Sequence, residues 1–221
     1  MSELRTVLFD LDGTLADTAP DLAYALNVLL QEQGRALLAY DIIRPEASHG
    51  ARALIKLGFG LAPGDTDFEG LRARFLAIYA ANLMRETRLF PGVAELLTLL
   101  PGRGLNWGIV TNKPKALTDP LVAQLGIIPP AVCVVSGDTT AHSKPHPAPL
   151  LHACHQAGSA PAQCLYIGDA ERDVEAGRAA GMRTLVALFG YIRAGDRPEC
   201  WGADGMVHHP REILHWLASH D

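Results

Sequence analysis

Five short apolar runs, each closed by turn residues and followed by a helical pattern, constrain this chain more than any other feature. They fall at 6–9, 107–110, 132–135, 164–167 and 184–188. Their apolar character is nearly continuous rather than alternating, which is the pattern of strands buried on both faces of a parallel sheet. Helical patterns follow at about 92–100, 114–125, 147–157, 171–180 and 210–218. Alternation of this kind predicts an α/β fold built on a doubly wound parallel sheet.

The rhythm breaks once. About a hundred residues separate the first run from the second, and most of them read as helical. Leu22, Ala25, Leu26, Leu29 and Leu30 share one face of a helix over 19–33. A second helix is expected at 51–57. A third, over 68–83, is marked by Phe68, Leu71, Phe75, Ile78, Tyr79 and Leu83. Each stripe alone is ordinary core packing. As a group they predict a small helical lobe inserted after the first strand, with Phe90-Pro91-Gly92 as the point of return.

Composition narrows the function classes. Of 221 residues, 48% are hydrophobic and 19% charged, as in a soluble globular protein. Lys plus Arg number 19 against 24 Asp plus Glu, a net charge of −5 with no basic stripe, which argues against a nucleic-acid partner. No apolar run reaches the roughly 18 residues of a membrane span. The N-terminus lacks a signal-peptide pattern, because Asp10 and Asp12 fall where the apolar stretch should continue. The four cysteines form no Cys-x-x-Cys pair and read as free thiols. A cytoplasmic location is expected. The nine histidines show no zinc spacing, and Pro145 and Pro147 flank His146, against a regular ligand face there. Oligomeric state is not legible in the chain.

In open α/β sheets, ligands bind beyond the carboxyl ends of the strands. After the first strand come Asp10 and Asp12; after the second, Thr111 and Asn112, then Lys113-Pro114. Ser143, Lys144 and Pro145 lie in the loop after the third, and Gly168-Asp169 follows the fourth, with Asp173 four residues later. Singly, each has an ordinary explanation. Asp12-Gly13 suits a turn, Thr111 a helix cap, Lys144 a solvated loop, and Asp169 with Asp173 a helix start. Turn and capping chemistry does not account for all four sets in this order at successive strand ends.

Here the chain resembles the haloacid dehalogenase superfamily of phosphatases, over nearly its whole length. The four motifs of that superfamily stand as DLDGT (10–14), VTN (110–112), SKPHP (143–147) and GDAERD (168–173). The resemblance implies a Rossmann-like core over 1–16 and 88–221, a type-one helical cap over 17–87, and Mg²⁺-dependent phosphoryl transfer on a small phosphomonoester. It implies Asp10 as nucleophile and metal ligand, Asp12 as acid–base residue and backbone-carbonyl ligand, and Asp169 as a further ligand. Asp173 would bind the metal through water or support it from outside. Thr111, Asn112 and Lys144 would hold the phosphoryl oxygens.

These residue types suit the reaction. A phosphate dianion repels an attacking carboxylate unless its charge is masked, and Mg²⁺ takes carboxylate and phosphate oxygens together. Clustered carboxylates become tolerable around a dication. Attack by Asp10 would form an aspartyl phosphate, and Asp12 would protonate the leaving alkoxide and later deprotonate water. An ordinary aspartate has a pKa near 3.9, so a ready-made acid at pH 7 needs about 4 kcal/mol of help. Burial on cap closure, or proton transfer through the substrate phosphate, would supply it.

The cap stretch from Arg44 to Arg52 is the expected specificity element. Gly50 precedes a predicted helix, and free amides there, with Arg52 and His49, suit a second anion, such as a carboxylate on the leaving group. The layout resembles phosphoglycolate phosphatases. Gly190-Tyr191-Ile192 and the run from Trp201 to Asp204 are similar to N-acetylmuramic acid 6-phosphate phosphatases. A phosphosugar mutase shares the core motifs, and a catalytically silent binding module is the alternative from another class. A haloacid dehalogenase would lack Asp12, and a phosphonoacetaldehyde hydrolase would need a cap lysine, for which Lys56 alone is present.

Overall fold

A computed structural model describes residues 3–220; the expected core boundaries at residues 1 and 221 therefore lie outside the described residues. The first apolar run forms β1 (Thr6–Phe9), every residue of it buried. The others become β4 (Asn106–Val110), β5 (Val134–Val135), β6 (Cys164–Gly168) and β7 (Arg183–Ala187). A further strand, β8 (Gly205–Val207), was not expected, because its stretch is too short and too mixed to read as an apolar run. The six form one sheet in the order β5-β4-β1-β6-β7-β8, with every pairing parallel.

Regular strand geometry in β5 covers half of its expected length. The ladder nonetheless reaches back along the expected run, since Val132 N donates to Trp107 O at 2.9 Å and Ile109 N to Cys133 O at 2.9 Å. As an edge strand it has a partner on one side only, which leaves its start less regular. Helices α5 (Val93–Leu99), α6 (Lys115–Leu125), α7 (Ala148–Ala157), α8 (Glu171–Ala180) and α9 (Pro210–His220) follow the strands as the periodicity predicts. β1 lies between β4 and β6, so the carboxyl ends of these three strands converge at the centre of the sheet.

The insertion is helical, as expected. It comprises α1 (Ala19–Glu32), α2 (Tyr40–Ile43), a tight turn over Arg44–His49, α3 (Gly50–Phe59) and α4 (Phe68–Ala80). Leu22, Ala25, Leu26, Leu29 and Leu30 of α1 are buried together, and α1 packs on α4. A two-stranded antiparallel ribbon, β2 (Ala16–Asp17) with β3 (Arg88–Leu89), joins the outgoing and returning chains. Two-residue strands carry no periodic signal, so the sequence does not reveal them. Asp21 locks the return: its buried carboxylate accepts from Thr87 N at 3.0 Å, Thr87 Oγ1 at 2.7 Å and Glu86 N at 3.0 Å. The four cysteines are free, three of them buried.

Candidate active site

Asp10 leaves the end of β1 with its amide bonded to Ile167 O of β6 at 2.8 Å. Its Oδ1 accepts from Leu11 N at 2.8 Å and lies 2.9 Å from Lys144 Nζ. That ammonium also reaches Asp173 Oδ1 at 2.7 Å, Tyr166 OH at 2.7 Å and Val110 O at 3.0 Å. Lys144 therefore sits beneath the carboxylates and ties together the ends of β1, β4 and β6. Asn112 supports it from the side, since its amide pairs with the backbone N–H and C=O of Lys144, both at 2.9 Å.

Asp12, two residues on, faces a different set of groups. Its Oδ1 accepts from Thr18 Oγ1 at 2.6 Å and from Lys113 Nζ at 2.7 Å. Lys113 Nζ also donates to Tyr79 OH of the cap at 2.9 Å. Burial disfavours the Lys113 ammonium, but Asp12 and Tyr79 outweigh it and raise the lysine's pKa above the usual range. Gly13 then turns the chain at φ 85°; a Cβ there would lie 2.0 Å from Asp169 Oδ2. The Asp-Gly turn is real, and it brings the end of β1 against Asp169.

Asp169 is gripped from both sides: Tyr191 N donates to its Oδ2 and Ser48 Oγ to its Oδ1, each at 2.8 Å. Asp10, Asp169 and Asp173 each offer an oxygen within 4.8 Å of the others, and all three are buried. Burial first, then Lys144 pulling the other way, leaves the Asp10 pKa raised to about 6. Burial and the charges of Asp10 and Asp173 push Asp169 up to about 7. Asp173 is disfavoured by burial too, yet Lys144 and Arg172 hold it below the ordinary value. Three oxygen donors crowded at mutual electrostatic cost fit a hard divalent cation such as Mg²⁺.

Above the carboxylates opens a cleft of about 540 Å³ between core and cap. The expected residues Asp10, Asp12, Thr111, Asn112 and Lys144 line it from the core, and His49, Gly50 and Arg52 from the cap. Asp169 and Asp173 belong to the adjoining carboxylate cluster. Burial, then the charge of Arg172, lowers His49 to about 4, so it is a neutral imidazole at pH 7.

Several participants carry no individual role in the sequence reading. Arg172 Nη2 donates to Ser48 O at 2.6 Å, and its Nη1 lies 3.3 Å from His49 Nδ1, docking the cap onto the start of α8. Arg44 reaches Gly190 O at 3.1 Å, and Glu46 pairs with Arg193. Lys113 and Arg172 each adjoin or lie within a strand-end motif, which was the available signal. Ser48 lies in the expected specificity stretch and Tyr79 in the apolar stripe of α4, but nothing local points to their partners Asp169 and Lys113.

Residues 7–187 match the model of the haloacid dehalogenase-like hydrolases. The chain belongs to this family. An N-acetylmuramic acid 6-phosphate phosphatase of Pseudomonas putida is 42% identical to this hydrolase over 95% of this chain and 94% of that one. A phosphoglycolate phosphatase of Xanthomonas campestris is 43% identical over 95% and 94%. A crystal structure of a predicted phosphoglycolate phosphatase from Haemophilus somnus superposes with a TM-score of 0.86, 27% identity and 98% and 99% coverage. Among the described residues no helix is long and apolar enough to cross a membrane.

Proposed function

We propose that this hydrolase is a Mg²⁺-dependent phosphomonoester phosphatase whose substrates carry a carboxylate, 2-phosphoglycolate or a carboxylated sugar phosphate such as N-acetylmuramic acid 6-phosphate. One observation carries this most: the buried Asp10 carboxylate, oriented by Lys144 and clustered with Asp169 and Asp173, lies at the floor of a cleft roofed by a helical cap. The core is taken as 1–16 and 88–221 and the cap as 17–87. The four free thiols suit a cytoplasmic setting.

Asp10, Asp169, Asp173 and the backbone carbonyl of Asp12 would hold the cation, Asp173 directly or through water. When bound, Mg²⁺ supplies positive charge that masks the phosphate dianion. Asp10 attacks phosphorus to give an aspartyl phosphate. Asp12, a carboxylate paired with Lys113 in the free protein, would receive a proton by way of the substrate phosphate, pass it to the departing alkoxide and take one from the hydrolytic water. The hydrogen bonds from Lys113 and Thr18 fix that carboxylate in the cleft. Thr111 and Lys144 stabilise charge on the phosphoryl oxygens, with Asn112 holding the Lys144 backbone. On the cap, Arg52, the neutral His49 and the start of α3 face the leaving group; the Gly50 amide, expected to be free, is taken by Ala47 O.

A panel of phosphomonoesters assayed for phosphate release with Mg²⁺, with Asp10→Asn as blank, tests the proposal. Preference for carboxylated esters, reduced in Arg52→Ala, is expected. A flat profile indifferent to Arg52→Ala removes the cap assignment. Isomerised sugar phosphate in place of free phosphate identifies a mutase, and inactivity on every ester identifies a silent binding module.

A further inference from the structure

The two walls of the cleft differ in electrical character. The core wall mixes signs, setting Asp10, Asp12 and Asp138 against Lys113, Lys144 and Arg172. The cap wall carries Arg52 and Arg72 and no carboxylate. The other cap arginines have work elsewhere. Arg74 forms a two-point pair with Glu32 at 2.9 and 2.6 Å. Arg35 lies over Phe59, Arg85 over Tyr24, and Arg44 reaches the carbonyls of 189 and 190. Arg72 pairs only loosely within its helix. Its partner Glu69 lies at 3.2 Å with 71% of its side chain exposed, a type of contact that holds a guanidinium weakly.

Arg72 also has informative neighbours. Phe75, Leu76 and Tyr79, at i+3, i+4 and i+7 on α4, line the same cleft. An otherwise apolar helix face thus begins with a cation; Phe75 and Tyr79 are buried behind it, and Leu76 is the partly exposed apolar side chain one turn from Arg72. A ligand suited to this face has an apolar or ring-shaped body and an anion at one end. A cleft of about 540 Å³ has room for a sugar ring beyond the phosphate.

We propose that Arg72 is a specificity-determining residue: with Arg52 it takes the carboxylate of a leaving group whose ring or alkyl body rests on Leu76. Its role presupposes the phosphatase function above and narrows the substrate class to a carboxylated sugar phosphate.

The test uses the full chain with Mg²⁺ and a matched pair of esters, N-acetylmuramic acid 6-phosphate and N-acetylglucosamine 6-phosphate. They differ in the lactyl ether that bears the carboxylate. Arg72→Gln is expected to lower the ratio of their kcat/KM values by about 10- to 100-fold, mainly through KM. Arg72→Lys should recover part of the loss, because it restores charge without the fork. Arg74→Gln, on the same helix but outside the cleft, should keep the wild-type ratio. Equal losses on both esters, or an unchanged ratio in Arg72→Gln while the wild type is active, overturn the Arg72 assignment and leave the phosphatase function standing. A wild type that releases phosphate from 2-phosphoglycolate but from neither sugar overturns the sugar class. A wild type inactive on every ester overturns the phosphatase function and this inference with it.

Discussion

Tyr191 holds Asp169 and the first cap helix at once. Its amide donates to Asp169 Oδ2 at 2.8 Å, while its hydroxyl accepts from Thr18 N at 2.7 Å and Ala19 N at 2.9 Å and donates to Asp17 Oδ1 at 2.8 Å. One buried residue therefore satisfies open amides at the start of α1 and orients a carboxylate of the proposed metal centre. Gly190 permits this: a Cβ there would lie 2.4 Å from the Asp169 Cβ.

Tyr191→Phe separates the two roles. The ring packing and the amide bond persist, while the α1 amides and Asp17 lose their partner. A cost of about 1–3 kcal/mol is expected, seen as a melting temperature lower by roughly 2–4 °C per kcal/mol. Mg²⁺ affinity by calorimetry should change little. An unaltered melting temperature would show that water replaces the hydroxyl without loss.

Asp21→Ala is expected to destabilise the protein by about 2–4 kcal/mol, because Thr87 and Glu86 donors would be left without the buried carboxylate. Urea unfolding measures it. A cost below about 0.5 kcal/mol would contradict the role of Asp21 in holding the returning chain against the start of α1.

Asp12→Asn should lower kcat by about 10²–10⁴-fold and leave Mg²⁺ binding nearly intact, because asparagine keeps the backbone carbonyl. Parallel losses in turnover and metal affinity would contradict the division of labour between Asp10 and Asp12.

The raised carboxyls give a pH signature. In metal-free protein Asp10 titrates at about 6 and Asp169 at about 7, above the ordinary 3.8. The folded state then binds more protons than the unfolded state between about pH 4 and 7, so their contribution to stability is full below pH 4 and lost as pH rises through 7. Asp173, held below the ordinary value, acts oppositely, and only at pH below about 4. Cation binding requires the ionised carboxylates. The rise in melting temperature on adding Mg²⁺ should therefore be larger at about pH 8 than at about pH 5. A pH-independent rise would exclude Asp10 and Asp169 as joint ligands.

Much of the fold was legible because its signals are local. A continuous apolar run such as 164–167 marks a buried strand, and the polar residues that close it mark the sheet end where ligands bind. The stripes of α1 and α4 likewise announce a helical lobe. Short or mixed elements gave no such sign: the two-residue strands of the ribbon and the three-residue β8 are held by partners distant in the chain.

The sequence by itself determined which residues meet at the sheet ends, because Asp10, Thr111 and Asp169 each directly follow a strand that must be buried and Lys144 lies in the loop that leaves β5. Only the tertiary structure decided how the cap closes over them. Ser48 on Asp169, Tyr79 on Lys113 and Arg172 on the Ser48 carbonyl are contacts between surfaces that docking brings together. Periodicity records which face of a helix is apolar, whereas these contacts depend on the angle at which one packed unit meets another. That angle also sets Arg72 into the cleft, beside the place proposed for the leaving group.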